Sequence, residues 1–193
     1  MPAYQHIQDA VSLIVPEIIL LATACLLFLV GPMLVSDAGD ARPGLRHRWG
    51  ILSLLALGSA IFAWLRAEPV AVTGGPFVAD QLVWFTRGLA LTAGILLALL
   101  LWNQIDDGYS AEAHACLLAI IAGTNLVAAA NDLVTLFLAL ELVSIPTYVL
   151  LYLPRRDRVS REATLKYFLL SVFSSALVLY GMSWLYGASG TTN

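Results

Sequence analysis

Charged side chains are scarce in this chain of 193 residues. Asp, Glu, Lys and Arg together make up 12% of it, whereas an ordinary soluble domain carries about 25%. Hydrophobic residues supply 60%, and the mean hydropathy is +0.83. So few charges cannot cover a water-facing surface, which argues against a soluble globular domain. We therefore expect an all-α, polytopic membrane protein.

Lysine and cysteine are nearly absent as well. Lys and Arg number ten in total, and only Lys166 is a lysine. Cys25 and Cys116 both lie in apolar runs, which predicts two small hydrophobic residues and neither a disulfide nor a metal site. The net charge of −3 and the scattered basic residues give no indication of nucleic-acid binding. No phosphate-binding glycine loop, dinucleotide fingerprint or metal-spaced Cys/His cluster occurs, so we expect no cofactor in this chain.

Long apolar segments are what the chain does contain, and a membrane-spanning helix needs about 20 such residues. Six segments qualify, at roughly Ser12–Val35, Trp49–Arg66, Gln81–Asn103, Ala113–Ala130, Asp132–Leu153 and Ala163–Tyr186. The first has no charged leading region and is too long for a cleavable signal peptide, so we expect a retained helix. The sequence EPVAVTGGPFVAD predicts a loop or short hairpin between the second and third segments. Asn131 or Asp132 is the predicted N-cap of the fifth.

Arginines predict the orientation of the helices. Seven of the basic residues lie in the loops after the first and fifth segments, namely Arg42, Arg46, Arg48, Arg155, Arg156, Arg158 and Arg161. The positive-inside rule assigns both loops to the cytoplasm. Four spans separate them, an even number, as two loops on one side require. The N-terminus is then expected to be extracytoplasmic, and the Arg-rich, Lys-poor composition favours a bacterial plasma membrane.

Glu141 is the most unusual residue of the stretch NDLVTLFLALELVSIPTYVLLY (Asn131–Tyr152), which contains nearly all of the fifth segment. At about 1.5 Å per residue it lies roughly 14 Å from Asp132, near the middle of a bilayer. A carboxylate there costs about 2.5–3.5 kcal/mol on insertion scales. Among its neighbours one turn away only Ser144 can form a hydrogen bond, so a partner must come from another helix, from water or from a proton. Glu141 is either a proton-handling carboxyl or a protonated link between helices.

Pro146 follows Glu141 by just over one turn. Proline has no amide hydrogen, so it frees the carbonyl of Leu142 and is expected to kink the helix beside Glu141. The freed carbonyl and the Ser144 hydroxyl could then bind water or pass protons. A kink that serves packing alone is the alternative, because such kinks are common in membrane helices.

Lys166 lies near the start of the sixth segment, four residues after Glu162. That order favours an ion pair within the helix. Lys166 could extend to the membrane interface or form a simple surface pair. If the helix is tilted or begins earlier than Ala163, Lys166 would lie inside the membrane and could join a relay with Glu141.

Three further ionisable residues lie in or beside the apolar segments. Glu17 follows Pro16 at the start of the first segment, a pattern typical of a helix N-terminus, so a capping role is expected. Arg87 is expected to extend its guanidinium to the interface. His114 opens the fourth segment and could titrate near neutral pH, but a lone interfacial histidine is usually structural.

The residues LALELVSIPTYVLLYLPRRDRVSREATLKYFLLSVFSSALVLYGMSWLYGASGT resemble a known family. The pattern ELxSxPxYxL, a basic loop and EAxxKYFLLSxxSSAxxLYG is similar to subunit N (mitochondrial subunit 2 type) of proton-translocating NADH-quinone oxidoreductase, respiratory complex I. Weaker similarity covers PEIILLATACLLF and LVAAANDLVTLFLALE. The related subunits L and M and the multisubunit sodium/proton antiporters share the buried Glu but differ in the residues that follow it.

The resemblance implies a site and a function. Glu141 would correspond to the buried Glu of the family's fifth helix, and Glu162 and Lys166 to the Glu and Lys at the start of its sixth. The chain would contribute a proton-translocation path to the membrane arm of an enzyme that transfers electrons from NADH to quinone. NADH, FMN, iron–sulfur clusters and quinone would bind in other subunits. The partners would be other membrane-arm subunits, especially neighbouring antiporter-like and small transmembrane subunits, together with the lipid bilayer.

The chain also departs from the family pattern. Members have about fourteen helices in two inverted repeats, and their lysines on helices seven, eight and twelve lie beyond Asn193. We therefore expect residues 1–130 to form transmembrane helices one to four and residues 131–193 to be the start of a truncated proton-translocating domain. A subunit of a multisubunit sodium/proton antiporter and an inactive structural fragment are the alternatives.

Overall fold

The computed structural model of the protein describes residues 13–34, 44–66, 72–73, 76–154 and 157–192. Its helices are α1 (Val15–Met33), α2 (Leu45–Arg66), α3 (Gln81–Leu101), α4 (Ser110–Ala129), α5 (Leu133–Tyr152) and α6 (Arg158–Ser189). A 3-10 turn, Asp107–Tyr109, precedes α4. All six helices are long and apolar enough to cross a membrane. The expected all-α, polytopic membrane fold is therefore confirmed.

Two helices begin four or five residues earlier than the apolar segments predict. Helix α2 starts at Leu45, and the Asp107 carboxylate accepts hydrogen bonds from the backbone N–H groups of Gly44 (3.1 Å) and Arg46 (3.3 Å) beside that start. Helix α6 starts at Arg158, where the Asp157 side chain accepts from the Ser160 N–H at 2.7 Å. Hydropathy cannot detect either start, because the added turns are polar. Ser12 and Val35, the predicted ends of the first segment, lie outside the described residues.

Helix α4 lies at the centre of the bundle and packs against α1, α2, α3 and α5. Small residues permit the close approach. Gly31 of α1 lies against Ala111, and Gly94 of α3 lies against Ile121. Gly123 faces the backbone of α5, where a Cβ on it would lie 2.9 Å from Val143 Cγ2. Most of α4 is consequently buried, although its sequence is no more apolar than that of the other helices.

One end of the bundle is closed by backbone hydrogen bonds, and we call it the hairpin end. Strands β1 (Val72–Thr73) and β2 (Val78–Ala79) pair there in an antiparallel hairpin, as the Gly- and Pro-containing loop predicts. The Asn131 N–H donates to the Pro76 carbonyl at 2.9 Å, which joins the hairpin to the α4–α5 connection. The Asp132 carboxylate accepts from the Thr135 N–H at 2.8 Å, confirming Asp132 as the N-cap of α5.

Helices α5 and α6 form the edge of the described structure. Helix α6 has no buried residue, and α5 buries only Ala139, Pro146 and Tyr148. The Tyr148 hydroxyl donates to the Ser171 hydroxyl at 2.5 Å, and its ring makes edge contacts with Tyr167 and Phe168. The side chain of Tyr148 therefore connects α5 to α6.

The α4–α5 contact predicts opposite effects of one substitution at two glycines. Gly58→Ala on α2 meets no atom within 4 Å and should gain roughly 0.5–1 kcal/mol from helix propensity. Gly123→Ala would place its Cβ 3.1 Å from the Val143 nitrogen and 3.2 Å from the Leu142 carbonyl carbon. Backbone atoms cannot rotate away, so we expect a net loss of about 1–3 kcal/mol. Thermal unfolding in detergent measures both; equal stabilisation would contradict the close approach.

The Tyr148 contact predicts a loss that depends on one hydroxyl. Tyr148→Phe keeps the ring contacts and removes the donor to Ser171, so stability should fall by about 1 kcal/mol. Tyr180→Phe is the matched control, because Tyr180 is an exposed tyrosine on α6 and should change stability little. The melting temperatures of the two variants provide the comparison. A loss equal to that of the control would show that the hydroxyl pair does not hold α6.

Candidate proton-handling site

Glu141 is the ninth residue of α5 and lies about 12 Å from the start of the helix, at 1.5 Å per residue. Its side chain is partly buried. Among the residues that the structure describes, no hydrogen bond or ion pair to Glu141 is found. The sequence predicts this lack of a partner on the same helix. A partner for a carboxylate at this depth must come from outside the described part of the chain, from water or from a proton.

Pro146 and Gly123 shape the backbone next to Glu141. Helix α5 continues through Pro146, which is buried, and the proline leaves the Leu142 carbonyl without its usual amide donor. Gly123 of α4 lies against the Leu142–Val143 backbone at the same level. The absence of a side chain at Gly123 thus brings α4 close to α5 where the helical hydrogen bonding is interrupted.

Ser144 has its hydroxyl directed to its own helix. It donates to the Leu140 carbonyl at 3.0 Å, which is the usual bond of a serine inside a helix. The oxygen lone pairs remain free to accept a hydrogen bond. Ser144 can therefore accept from a water or a protonated carboxyl on this helix, but its own proton is already used.

Lys166 and Glu162 form the predicted pair within α6. The Lys166 Nζ donates to Glu162 Oε1 at 2.7 Å, and the two side chains are 70% and 60% exposed. Because α6 begins at Arg158, Lys166 lies about 12 Å along the helix and not in its first turn. No contact in the described chain joins this pair to Glu141. The structure therefore confirms the pair and leaves its participation in a relay as a prediction.

The side chain of His114, on α4, is buried between α4 and the helices around it. It is 1% exposed, and its Nδ1 lies 2.7 Å from the Ser110 carbonyl oxygen. A carbonyl only accepts hydrogen bonds, so Nδ1 carries the proton and a neutral ring has Nε2 as its acceptor. Nε2 has no hydrogen-bond partner among the described residues. The sequence does not predict this burial, because the four helices that surround α4 come from other parts of the chain.

Glu17 and Arg87 form a buried ion pair that the sequence analysis missed. Arg87 Nε lies 2.8 Å from Glu17 Oε1, and the residues are 6% and 1% exposed. Arg87 therefore does not extend to the interface. Glu17 does lie in the first turn of α1 as expected, but its carboxylate is held by α3. The only sign of this ion pair in the sequence is that two different apolar segments contain side chains of opposite charge.

Asn125 of α4 completes this buried cluster. It is fully buried, and its side chain lies within reach of the Glu17 carboxylate, although its amide is not aligned for a hydrogen bond with any described group. Removal of one partner from a buried ion pair typically costs about 3–5 kcal/mol, because the other charge is left uncompensated. The cluster thus joins α1, α3 and α4 in the interior of the bundle.

The described residues contain no group of three His, Cys, Asp or Glu side chains that could hold a metal ion. Both cysteines are free, Cys25 on the surface and Cys116 in the core.

Comparisons with known proteins agree with the architecture. A family model described as the transmembrane part of NADH:quinone oxidoreductase and Mrp antiporters matches residues 130–193. NADH-quinone oxidoreductase subunit N 1 of Solibacter usitatus is 38% identical over the whole chain, which covers 38% of that relative. Subunit N 2 of Rhizobium meliloti is 33% identical over 92% of the chain and 36% of the relative. The chain thus spans somewhat more than a third of the length of these curated relatives.

Solved structures show the same helical arrangement. A chain of respiratory complex I from Thermus thermophilus superposes with a TM-score of 0.74 at 28% identity, covering 92% of this chain and 38% of that one. A chain of an archaeal membrane-bound sulfane sulfur reductase gives a TM-score of 0.67 at 20% identity, with the same coverage, and supports the fold alone. The resemblance seen in the sequence is confirmed: over most of its length the chain is similar to curated subunits N of NADH-quinone oxidoreductase, and residues 130–193 match the family model of the transmembrane part that these oxidoreductases share with Mrp antiporters.

Proposed function

We propose that this chain contributes one proton-translocation path to the membrane arm of a complex that transfers electrons from NADH to quinone. The observation that carries the proposal is Glu141, a carboxyl in the middle of a membrane-spanning helix with no partner among the described residues. It lies within residues 130–193, the part that matches the family model. Buried carboxyls in such positions typically mark proton or ion pathways.

Glu141 would work through the charge of a neighbouring cation. A nearby cation stabilises the ionised carboxylate, and withdrawal of the cation favours the protonated form. Alternation between the two environments would load and release one proton. The cation is proposed to be a lysine on a further helix of the whole subunit, moved by electron transfer in other subunits.

Lys166 and Glu162 are proposed as further members of this path. The early start of α6 supports the proposal, because it places Lys166 two helical turns from Arg158. The exposure of the pair leaves both side chains accessible to a helix that packs against α6. His114 is proposed as a minor proton contact, since its Nε2 is buried without a hydrogen-bond partner in the described chain.

The chain is proposed to lie in a bacterial plasma membrane with its N-terminus extracytoplasmic. Arg46 and Arg48 at the start of α2, and Arg158 and Arg161 at the start of α6, support this orientation by the positive-inside rule. Arg42, Arg155 and Arg156 lie outside the described residues. The hairpin end would then face away from the cytoplasm.

The proposed partners follow from the exposed faces of α5 and α6. Neighbouring antiporter-like and small transmembrane subunits and the lipid bilayer would cover these faces, and no nucleic acid is involved. Redox cofactors and quinone would bind in other subunits. Residues 1–130 would form transmembrane helices one to four, and residues 131–193 would begin the proton-translocating domain.

A subunit of a sodium/proton antiporter is the second candidate function. The description of the matching family model includes Mrp antiporters, which supports it. Sodium-dependent proton exchange in vesicles, without any dependence on NADH, would favour this candidate over the first.

Replacement of Glu141 tests the proposed path. In the complete complex, Glu141→Gln removes the titrating proton while preserving size, and we expect proton pumping through this subunit to fall by about tenfold or more. Pumping in membrane vesicles and NADH–quinone turnover are measured together. Asp106→Asn is a matched control, because Asp106 lies in the loop before α4 and makes no capping bond. Normal pumping and turnover in Glu141→Gln would refute the proposal.

A further inference from the structure

The Glu17–Arg87–Asn125 cluster is a second polar site inside the bundle, and the proposed proton path does not use it. Its members come from α1, α3 and α4 and are 1%, 6% and 0% exposed. Charged side chains within membrane-spanning helices are costly and are retained mainly where they have a role. Asn125 is a buried polar side chain without an aligned hydrogen-bond partner among the described residues. A purely apolar contact between these helices would avoid both costs.

The cluster lies toward the hairpin end of the bundle. Glu17 is in the first turn of α1. Arg87 is six residues beyond the start of α3 at Gln81, and helical side chains lean toward the N-terminus of their helix, so its guanidinium extends back toward Glu17. Phe77, next to β2, pairs with Ala130 just beyond α4. The hairpin and the ion pair therefore restrain the same end of the bundle.

Helix α4 connects this cluster to Glu141. Asn125 and Gly123 are two positions apart, which places them on roughly opposite faces of a helix with 3.6 residues per turn. Asn125 faces Glu17, and Gly123 lies against the Leu142–Val143 backbone. Those two residues directly follow Glu141. A shift of α4 at Asn125 would therefore move the backbone that carries the carboxyl, because the Gly123 contact leaves no side chain to absorb it.

We propose that Glu17, Arg87 and Asn125 form a positioning site that holds α4 in place and thereby sets the position of Glu141. The inference rests on the proposed proton path through Glu141. The three residues do not contact the proton; they act through α4 and its Gly123 face. A cluster that only holds the bundle together is the alternative, and it would affect the amount of complex and not the pumping of each assembled complex.

Two variants test the inference in the complete complex. Asn125→Leu removes the amide and leaves no charge unpaired. The double variant Glu17→Gln with Arg87→Gln neutralises both charges at once, whereas Glu17→Gln alone strands a buried guanidinium and should lower the amount of assembled complex. Thr124→Val is the control, because Thr124 is the neighbouring polar residue on α4 and donates only to its own helix. Proton pumping is expressed per assembled complex.

Each variant is then combined with Glu141→Gln. We expect Asn125→Leu and the double variant each to reduce pumping about threefold in the wild-type background and to have no further effect when Glu141 is replaced, since coupled sites are not additive. Three results would overturn the inference: unchanged pumping in both variants, an equal reduction in both backgrounds, or failure of both variants to assemble. Normal pumping in Glu141→Gln alone would instead refute the proposed path.

Discussion

The absence of water in a bilayer interior is the constraint on which this structure depends. Any polar group placed there must find a partner within the protein or lose its charge. Backbone groups meet the requirement by forming six long helices. Most hydroxyls of the helices donate to a carbonyl three or four residues earlier, as Thr92, Thr124 and Ser144 do. The few groups that cannot be satisfied on one helix are the ones that carry information about function.

Charged groups within the spans follow two different solutions. Glu17 and Arg87 neutralise each other across two helices, at a separation of 2.8 Å. Glu141 has no such partner in the described chain, and Pro146 leaves a carbonyl beside it without an amide donor. The first arrangement suits a permanent charge pair in the bundle. The second suits a carboxyl whose charge changes, because no described residue forms an ion pair with Glu141 that would favour the ionised form.

The close packing of α4 brings this one helix into contact with both sites, the Glu17–Arg87 pair and the part of α5 that carries Glu141. Apolar attraction between helices is weak in lipid, so association depends on close contact between small residues. Gly31, Gly94 and Gly123 supply that contact on three faces of α4. Helix α4 has little amphipathic character because nearly every side of it meets another helix. The position of Glu141 thus depends on a helix whose own sequence contains little evidence of its central role.

The sequence by itself determined the membrane class, the six helices, an N-cap of α5 at Asn131 or Asp132, the Glu162–Lys166 pair and the unusual position of Glu141. Each of these depends on composition or on residues within about one helical turn. Tertiary structure decided the start of α2, where Asp107 accepts from residues more than sixty positions away, the burial of His114, and the pairing of Arg87 with Glu17. These contacts join distant segments, and hydropathy measures only the neighbours of a residue along the chain. Arg87 shows the difference: an arginine six residues into an apolar helix has the same local sequence whether it reaches water or a buried carboxylate, and only the packing of both α1 and α3 against α4 selects the carboxylate.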